Sequence, residues 1–419
     1  MKKHSKLLSA ILAAVMLLVL LPTGVIASAE IVKSGECGDD LTWEIDSDGN
    51  LTITGTGDMW DDYLHKFTQP WCYEVKSITI GEGVTRIGGL AFFECSVTSV
   101  SISDTVKSIG FSAFSYCASL KSVSIPESVT TIENNAFSYC TELSSVSIPE
   151  SVTVIENNAF YNCVALSSIS IPDSVTKLGG QALYNTGYYS DKSNWENGVL
   201  YNGKWLISVG ERNYSGSCDV KEGTIGIASD AFSFSGLTSI RIPDSVAYIG
   251  AGAFYTCDSL TSIELPDGLK SIGQGAFMNC TGLKSVTIPK GVKTIEMLMF
   301  HFCTGLTSVT IPLTVTSIKD DAFHGCSGLT SLTIPKSVTD IGTNVFTYCY
   351  NLTLGVYKDS YGHKYAVENN IPFELLKEDN TFIIIAIAAG AVLAAAVIFF
   401  IIRFVKKKKK KQTSGTEGV

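Results

Sequence analysis

Histidine is scarce in this chain. There are five in 419 residues, and only His65, His301, His324 and His363 lie beyond the N-terminal apolar run. So few imidazoles leave little room for the general bases, activated nucleophiles and metal sites that histidine most often serves. Positive charge is also scarce where it would meet a polyanion. Lys and Arg total 31, but three open the chain and seven close it, leaving 21 against 39 Asp and Glu over 30–381, a net charge near −18. That balance disfavours nucleic acid and anionic lipid as partners of this acidic stretch. Residues 382–402, "FIIIAIAAGAVLAAAVIFFII", carry no charge at all.

The two ends read as targeting and anchoring segments. Lys2, Lys3 and Lys6 precede an apolar run from Leu7 to Leu21, and Ala27, Ser28 and Ala29 form a small-residue cleavage site. Residues 1–29 therefore read as a signal peptide, and the mature chain is expected to begin at Glu30. The 21 uncharged residues of 382–402 would span about 31 Å as a helix, enough for a hydrocarbon core of about 30 Å. Arg403 and six lysines, Lys406 to Lys411, follow at once, which places the tail 403–419 in the cytoplasm and 30–381 outside. "LPTG" at 21–24 falls inside the signal, and "LLKEDNT" before the apolar run is no wall-sorting motif. The expected location is the cell membrane, with a single retained span. Ala386, Gly390 and Ala394 form a small-residue row that gives a homodimer a weak basis.

Between the ends the chain repeats itself. "SVSIPESVTTIENNAFSYCTEL" (122–143) returns as "SVSIPESVTVIENNAFYNCVAL" (145–166). Aligned on Ile125, the units recur at Ile148, Ile171, Ile242, Leu265, Ile288, Ile311 and Ile334, a step of 23 on either side of one interruption. Ile80, Ile102 and Val220 bring the count to about eleven units of 22–23 residues. Each position has a physical reason. Val123 and Ile125 share one face of a short strand. Pro126 ends it, having no N–H and a fixed φ. Val129 and Ile132 return inward after a corner, Phe137 fills the coil beside Ala136, and Cys140 and Leu143 close the unit. One unit cannot bury its own apolar side, but stacked units bury a continuous one. The expected fold is a leucine-rich-repeat solenoid with a parallel β-sheet on one face.

The pattern "LxSVxIPxSVxxIxxxAFxxC" resembles the repeat of BspA-like (treponemal-type) leucine-rich-repeat surface proteins, over roughly 30–375. "CGDDLTWEIDSDGNLTITGTGDMWDD", followed by Pro70 and Trp71, is similar to the opening segment of that family. The resemblance implies a bacterial cell-surface protein used in adhesion or interaction, with an extracellular protein or glycan of host matrix or other bacteria as partner. It does not name a ligand.

Departures from the repeat set the remaining boundaries. Residues 30–74 read as a β-rich N-terminal cap, in which "DSDGN" is turn chemistry rather than a calcium loop. Repeats fill 75–183 and 218–349. The insertion 184–217 contains a hairpin, "VLYNGKWLI", with a type I′ turn expected at Asn202-Gly203. Its aromatics Tyr188, Tyr189, Trp195, Tyr201 and Trp205 either cover the core where a repeat is missing or form a contact surface. Residues 350–381 read as a C-terminal cap, a short helix and a last strand, with a linker. The outward strand positions form a ladder of Ser and Thr hydroxyls, broken by Asp219, Arg241 and Glu264, which read as a surface ion network or a contact area. Hydroxyls without a base are poor nucleophiles, so no enzyme and no cofactor is expected. His301 and His324 stack in adjacent units, and no metal is expected there. Of the 12 cysteines, nine share one repeat position, from Cys95 to Cys349, and read as buried filler. Only Cys37 and Cys72, both in the cap, make a plausible bridge.

Overall fold

The computed structural model describes residues 29–61, 71, 74–210 and 214–377. The chain opens with β1 (Ile31–Gly38), β2 (Asp40–Asp46) and β3 (Asn50–Asp58), an antiparallel meander. Asp46 closes the β2–β3 turn, accepting the Asp48 and Asn50 amides at 2.9 Å each, with Gly49 left-handed. The same β3 then starts the solenoid. Leu51 and Ile53 pair in parallel with Ile78 and Ile80 of β4 (Ser77–Ile80), and Gly57 with Val84 of β5 (Val84–Ile87). The cap thus supplies the first coil as well as the antiparallel cover.

The expected single sheet is only part of the picture. Each regular coil carries two strands, so two parallel ladders climb the molecule. The first holds the "SVSI" stretches, such as Ser122–Ser124 beside Ser145–Ser147. The second holds the stretches read as corners, with Ser108–Ile109, Thr131–Ile132 and Val154–Ile155 in register. The third side of the coil is a turn edge with its own inter-coil bonds, Phe137 N to Ala159 O (2.8 Å) among them. The corner was missed because two residues suffice for a strand when the equivalent pair of the next coil sits above and below them.

Inside, one phenylalanine per coil forms a continuous column. Phe92, Phe114, Phe137 and Phe160 follow one another at 5.1–5.5 Å, each fully buried. Trp43 and Trp71 extend the column into the cap. The column resumes at Phe232 and runs to Phe346. Beside it lie the cysteines. From Cys117 onward each thiol donates to the phenylalanine carbonyl of the coil before, Cys140 Sγ to Phe114 O at 3.1 Å and Cys303 Sγ to Phe277 O at 3.0 Å. These thiols are buried and unbridged. Cys37 is a buried thiol too, and Cys72, its expected partner, lies outside the described residues.

The break in the array is filled by the hairpin Val199–Asn202 and Trp205–Ser208. Its second strand enters the second ladder, with Trp205 and Leu206 parallel to Gly226 and Ile227. Alternate side chains serve the two halves of the core. Leu200, Trp205 and Ile207 pack on the N-terminal half, and Val199, Leu206 and Val209 on the C-terminal half. The type I′ turn is not formed. Gly203 is left-handed but Asn202 is not. Asn202 stays in the strand because its side chain is bonded to the coil below.

At the far end, Thr353–Tyr357, the helix Tyr361–Glu368 and a last parallel strand Phe373–Leu376 form the C-terminal cap. Ser360 caps the helix by accepting the His363 amide. Among the described residues no helix is long and apolar enough to cross a membrane. The expected span 382–402, the tail 403–419 and all but the last residue of the expected signal peptide lie outside the described residues.

Candidate functional site

Two surfaces, the strand face and the insertion, were open to a functional role from the sequence; the structure treats them differently and adds a third. The outward positions of the first ladder are solvent-facing as expected, from Ser99 and Ser101 to Ser331 and Thr333. Of the three charges on this face, Arg241 reaches Asp219 at 3.7 Å and Glu222 more closely, at 2.8 Å. Glu222 was not singled out by sequence, since it sits in a corner. Glu264 is exposed and makes no ion pair among the described residues. So exposed a network adds little to stability.

The insertion aromatics are mostly structural. Trp205 is 1% exposed and stacks toward Tyr248, where Gly226 makes room for it, so it is not placed to touch a ligand. Tyr188 donates to Tyr201 O at 2.6 Å, and Trp195 Nε1 to Tyr189 O at 2.8 Å. Tyr201 Oη accepts the Lys221 amide at 3.1 Å. These four rings are half-buried and tie the insertion together.

The third surface, the turn edge, was not recognised as a unit. Two residues after the core phenylalanine position, every described coil turns through a left-handed residue, from Glu94 (φ 59°) to Tyr348 (φ 62°). Such a position suits Asn or Gly. Asn162, Asn185, Asn279 and Gly325 obey; Glu94 and Thr256 do not, nor do the five aromatic residues Tyr116, Tyr139, Phe234, Phe302 and Tyr348. Four of these five rings are 41–51% exposed, so burial does not repay the strain. Around Tyr116 and Tyr139 the rings run on without a gap. Tyr116 stacks on Tyr139 at 4.3 Å, and contacts continue through Tyr161 and Tyr184 to Tyr189 and Trp195 at 4.9–5.6 Å. Burial and then the neighbouring phenols push the Tyr116 and Tyr161 hydroxyls above their ordinary value. The signal in the sequence was the recurrence of Tyr and Phe at one or two places after the core ring.

The stripe ends at a cleft of about 120 Å³ where insertion and arrays meet, lined by Tyr184, Tyr189, Gln181, Ser208, Ser229 and Asp230 among others. Asp230 stands at its mouth with its carboxylate wedged between coils. A Cβ on Gly180 would come within 2.1 Å of one oxygen, and one on Gly252 within 2.5 Å of the other. Much of the residue's surface stays exposed, yet the carboxyl group itself is crowded, and desolvation pushes its pKa up to about 6.

His301 and His324 stack as expected, with ring centroids 4.8 Å apart. Burial, then the neighbouring imidazole, lowers the pKa of His301. His324 Nδ1 lies 3.2 Å from Asp321 but without hydrogen-bond geometry. Among the described residues no three His, Cys, Asp or Glu side chains converge as a metal site.

The BspA type leucine-rich-repeat region matches residues 64–189 and 225–353, in 6 copies. Among solved structures, a leucine-rich repeat protein from Eubacterium ventriosum is 26% identical, covering 75% of this chain and 94% of its own, with a TM-score of 0.37. A leucine rich cell surface protein from Faecalibacterium prausnitzii is 28% identical over 80% of this chain and 97% of its own, with a TM-score of 0.36. No curated protein matches the chain. The repeat match spans more than half the sequence, and the chain belongs to the BspA-type leucine-rich-repeat family.

Proposed function

We propose that this is a bacterial surface protein, held in the cell membrane by 382–402, whose extracellular solenoid binds a protein or glycan in adhesion or cell–cell contact. It is a binding module and not an enzyme. The observation that carries the reading is the aromatic stripe of the turn edge, in which Tyr116 and Tyr139 are held in left-handed backbone. Strain that burial does not repay points to a role at the surface. Tyr beside Ser and Asn is also the composition of adaptable protein-binding surfaces, because the ring offers broad contact with few torsions to freeze. The hydroxyl face supports a second reading, a spacer that lifts other molecules off the cell, because its uniformity offers nothing for one partner to prefer over another.

The test is binding of the full chain, in nanodiscs, to a panel of matrix proteins, bacterial cells and glycans. Tyr116→Asn with Tyr139→Asn forms one variant, and Arg241→Ala with Glu264→Ala another. Saturable binding lost only in the first supports the turn edge. Loss only in the second moves the site to the strand face. No saturable binding across the panel supports the spacer.

A further inference from the structure

The two ends of the solenoid are finished differently. At the N-terminus Leu41, Trp43 and Ile45 of the meander are buried over the first coil. At the C-terminus the last strand pairs in parallel with Thr353–Tyr357, so Phe373 lies beside Leu354 and Leu375 beside Val356. Leu354 and Val356 point inward and are buried, so Phe373 and Leu375 continue the core columns one step past the last coil. The flank of the helix covers part of this end, where His363 meets Phe373 at 5.0 Å. Phe373 is 37% exposed, Leu375 54%, and Val367 on the adjoining helix 55%. The core therefore ends in an open apolar patch, where a solenoid normally needs a polar cap.

The chain itself says what lies next to that patch. Four residues separate Lys377 from Phe382, five steps along the chain and a reach of at most about 17 Å. Headgroups extend about 5–7 Å beyond the hydrocarbon on each side. The intervening "EDNT" is polar and cannot cover the patch. The charge also fits. Against the strongly acidic ectodomain, residues 357–377 carry Lys358, Lys364 and Lys377 opposite Asp359, Glu368 and Glu374, and so are neutral. The unpaired N–H and C=O groups of the last strand need water, which sets the depth at the interface and not in the hydrocarbon.

We infer that the bilayer surface completes the C-terminal end of the solenoid, with Phe373, Leu375 and Val367 seated among headgroups and upper acyl chains. The solenoid then stands on the membrane instead of swinging from a tether. The inference rests on the membrane-anchored reading above.

The test uses the full chain as single copies in phosphatidylcholine–phosphatidylglycerol nanodiscs, with and without lipids brominated near the headgroup. Phe373→Trp and Leu375→Trp report the patch, Phe399→Trp the span, and Leu313→Trp an exposed site three strands, or about 14 Å, from the last strand. Most of the emission added at 373 and 375 should be quenched, with none lost at 313. If the signal at 399 is quenched and those at 373 and 375 are not, the docked end is wrong and the anchor stands. If 399 is not quenched, the anchor itself fails and the inference falls with it. A blue shift at 373 and 375 that appears only with two copies per disc, without quenching by the brominated lipid, would assign the patch to a second chain and overturn the bilayer assignment.

Discussion

Asn202 stands in for a strand beside Ile171. Its Oδ1 accepts the Ile171 amide at 2.8 Å, and its Nδ2 donates to the Ile169 carbonyl at 2.8 Å. Among the described residues the first ladder has no neighbouring strand at this point, and one side-chain amide satisfies both edge groups. Asn202→Ala leaves two buried backbone groups unpaired, and the expected loss is about 2–4 kcal/mol. Thermal melting checks it. An unchanged melting temperature would mean that water replaces the amide.

The ring column makes a second prediction. Phe137 is fully buried between Phe114 at 5.3 Å and Phe160 at 5.5 Å. The coils above and below are fixed by their own ladders and cannot close a void. Phe137→Ala should therefore cost about 3–5 kcal/mol, near the top of the range for such truncations. Denaturant unfolding followed by circular dichroism measures it.

The cysteine column should be chemically silent. Burial pushes Cys257 and Cys349 up to about 11 and raises Cys140 strongly, so thiolate is scarce at neutral pH. A thiol reagent should label these positions slowly in the native chain and rapidly after unfolding. Cys349, in the last full coil and the most exposed of the column, should react first. Fast labelling of Cys140 in the native chain would contradict the packing.

Asp230 predicts a pH effect with a definite sign. Its folded pKa of about 6 lies above the ordinary carboxylate value of about 4. The folded state therefore holds this proton more tightly than the unfolded chain does. Its favourable contribution is full below about pH 4 and is lost as pH rises through about 6. Asp230→Asn keeps the shape and stays neutral. Its melting temperature should exceed that of the parent at pH 7.5 and match it below pH 4. A parent more stable than the variant at pH 7.5 would show that the carboxylate is paired with a cation.

Much of this architecture was legible because the repeat states its physics eleven times over. Val123, Ile125, Phe137 and Cys140 recur at fixed spacing, and a column of identical residues has one simple arrangement. The misreadings share a cause. Thr131–Ile132 became a strand, and Asn202 left its expected turn, because of what lay in the next coil, and neighbours across a coil are not neighbours in sequence. Trp205 shows the same limit. A tryptophan in an irregular loop looks like a contact residue until Gly226, 21 positions later, is seen to leave a space for its ring. The stripe through Tyr116 and Tyr139 was hidden for a different reason. The left-handed backbone that makes a tyrosine there costly cannot be read from the tyrosine.

That cost supplies the last prediction. Tyr116 and Tyr139 hold φ of 62° and 59°, where a residue with a bulky side chain loses about 1–2 kcal/mol that Asn or Gly largely avoids. Their stacking contact returns about 0.5–1.5 kcal/mol. The two effects nearly cancel, so Tyr116→Asn or Tyr139→Asn should leave the melting temperature unchanged or slightly raised. A surface kept for binding should behave in this way: partner binding falls in the variants while stability does not. If both substitutions instead destabilise the fold and leave binding intact, the rings are a structural clamp between coils, and the interaction surface lies elsewhere on the solenoid.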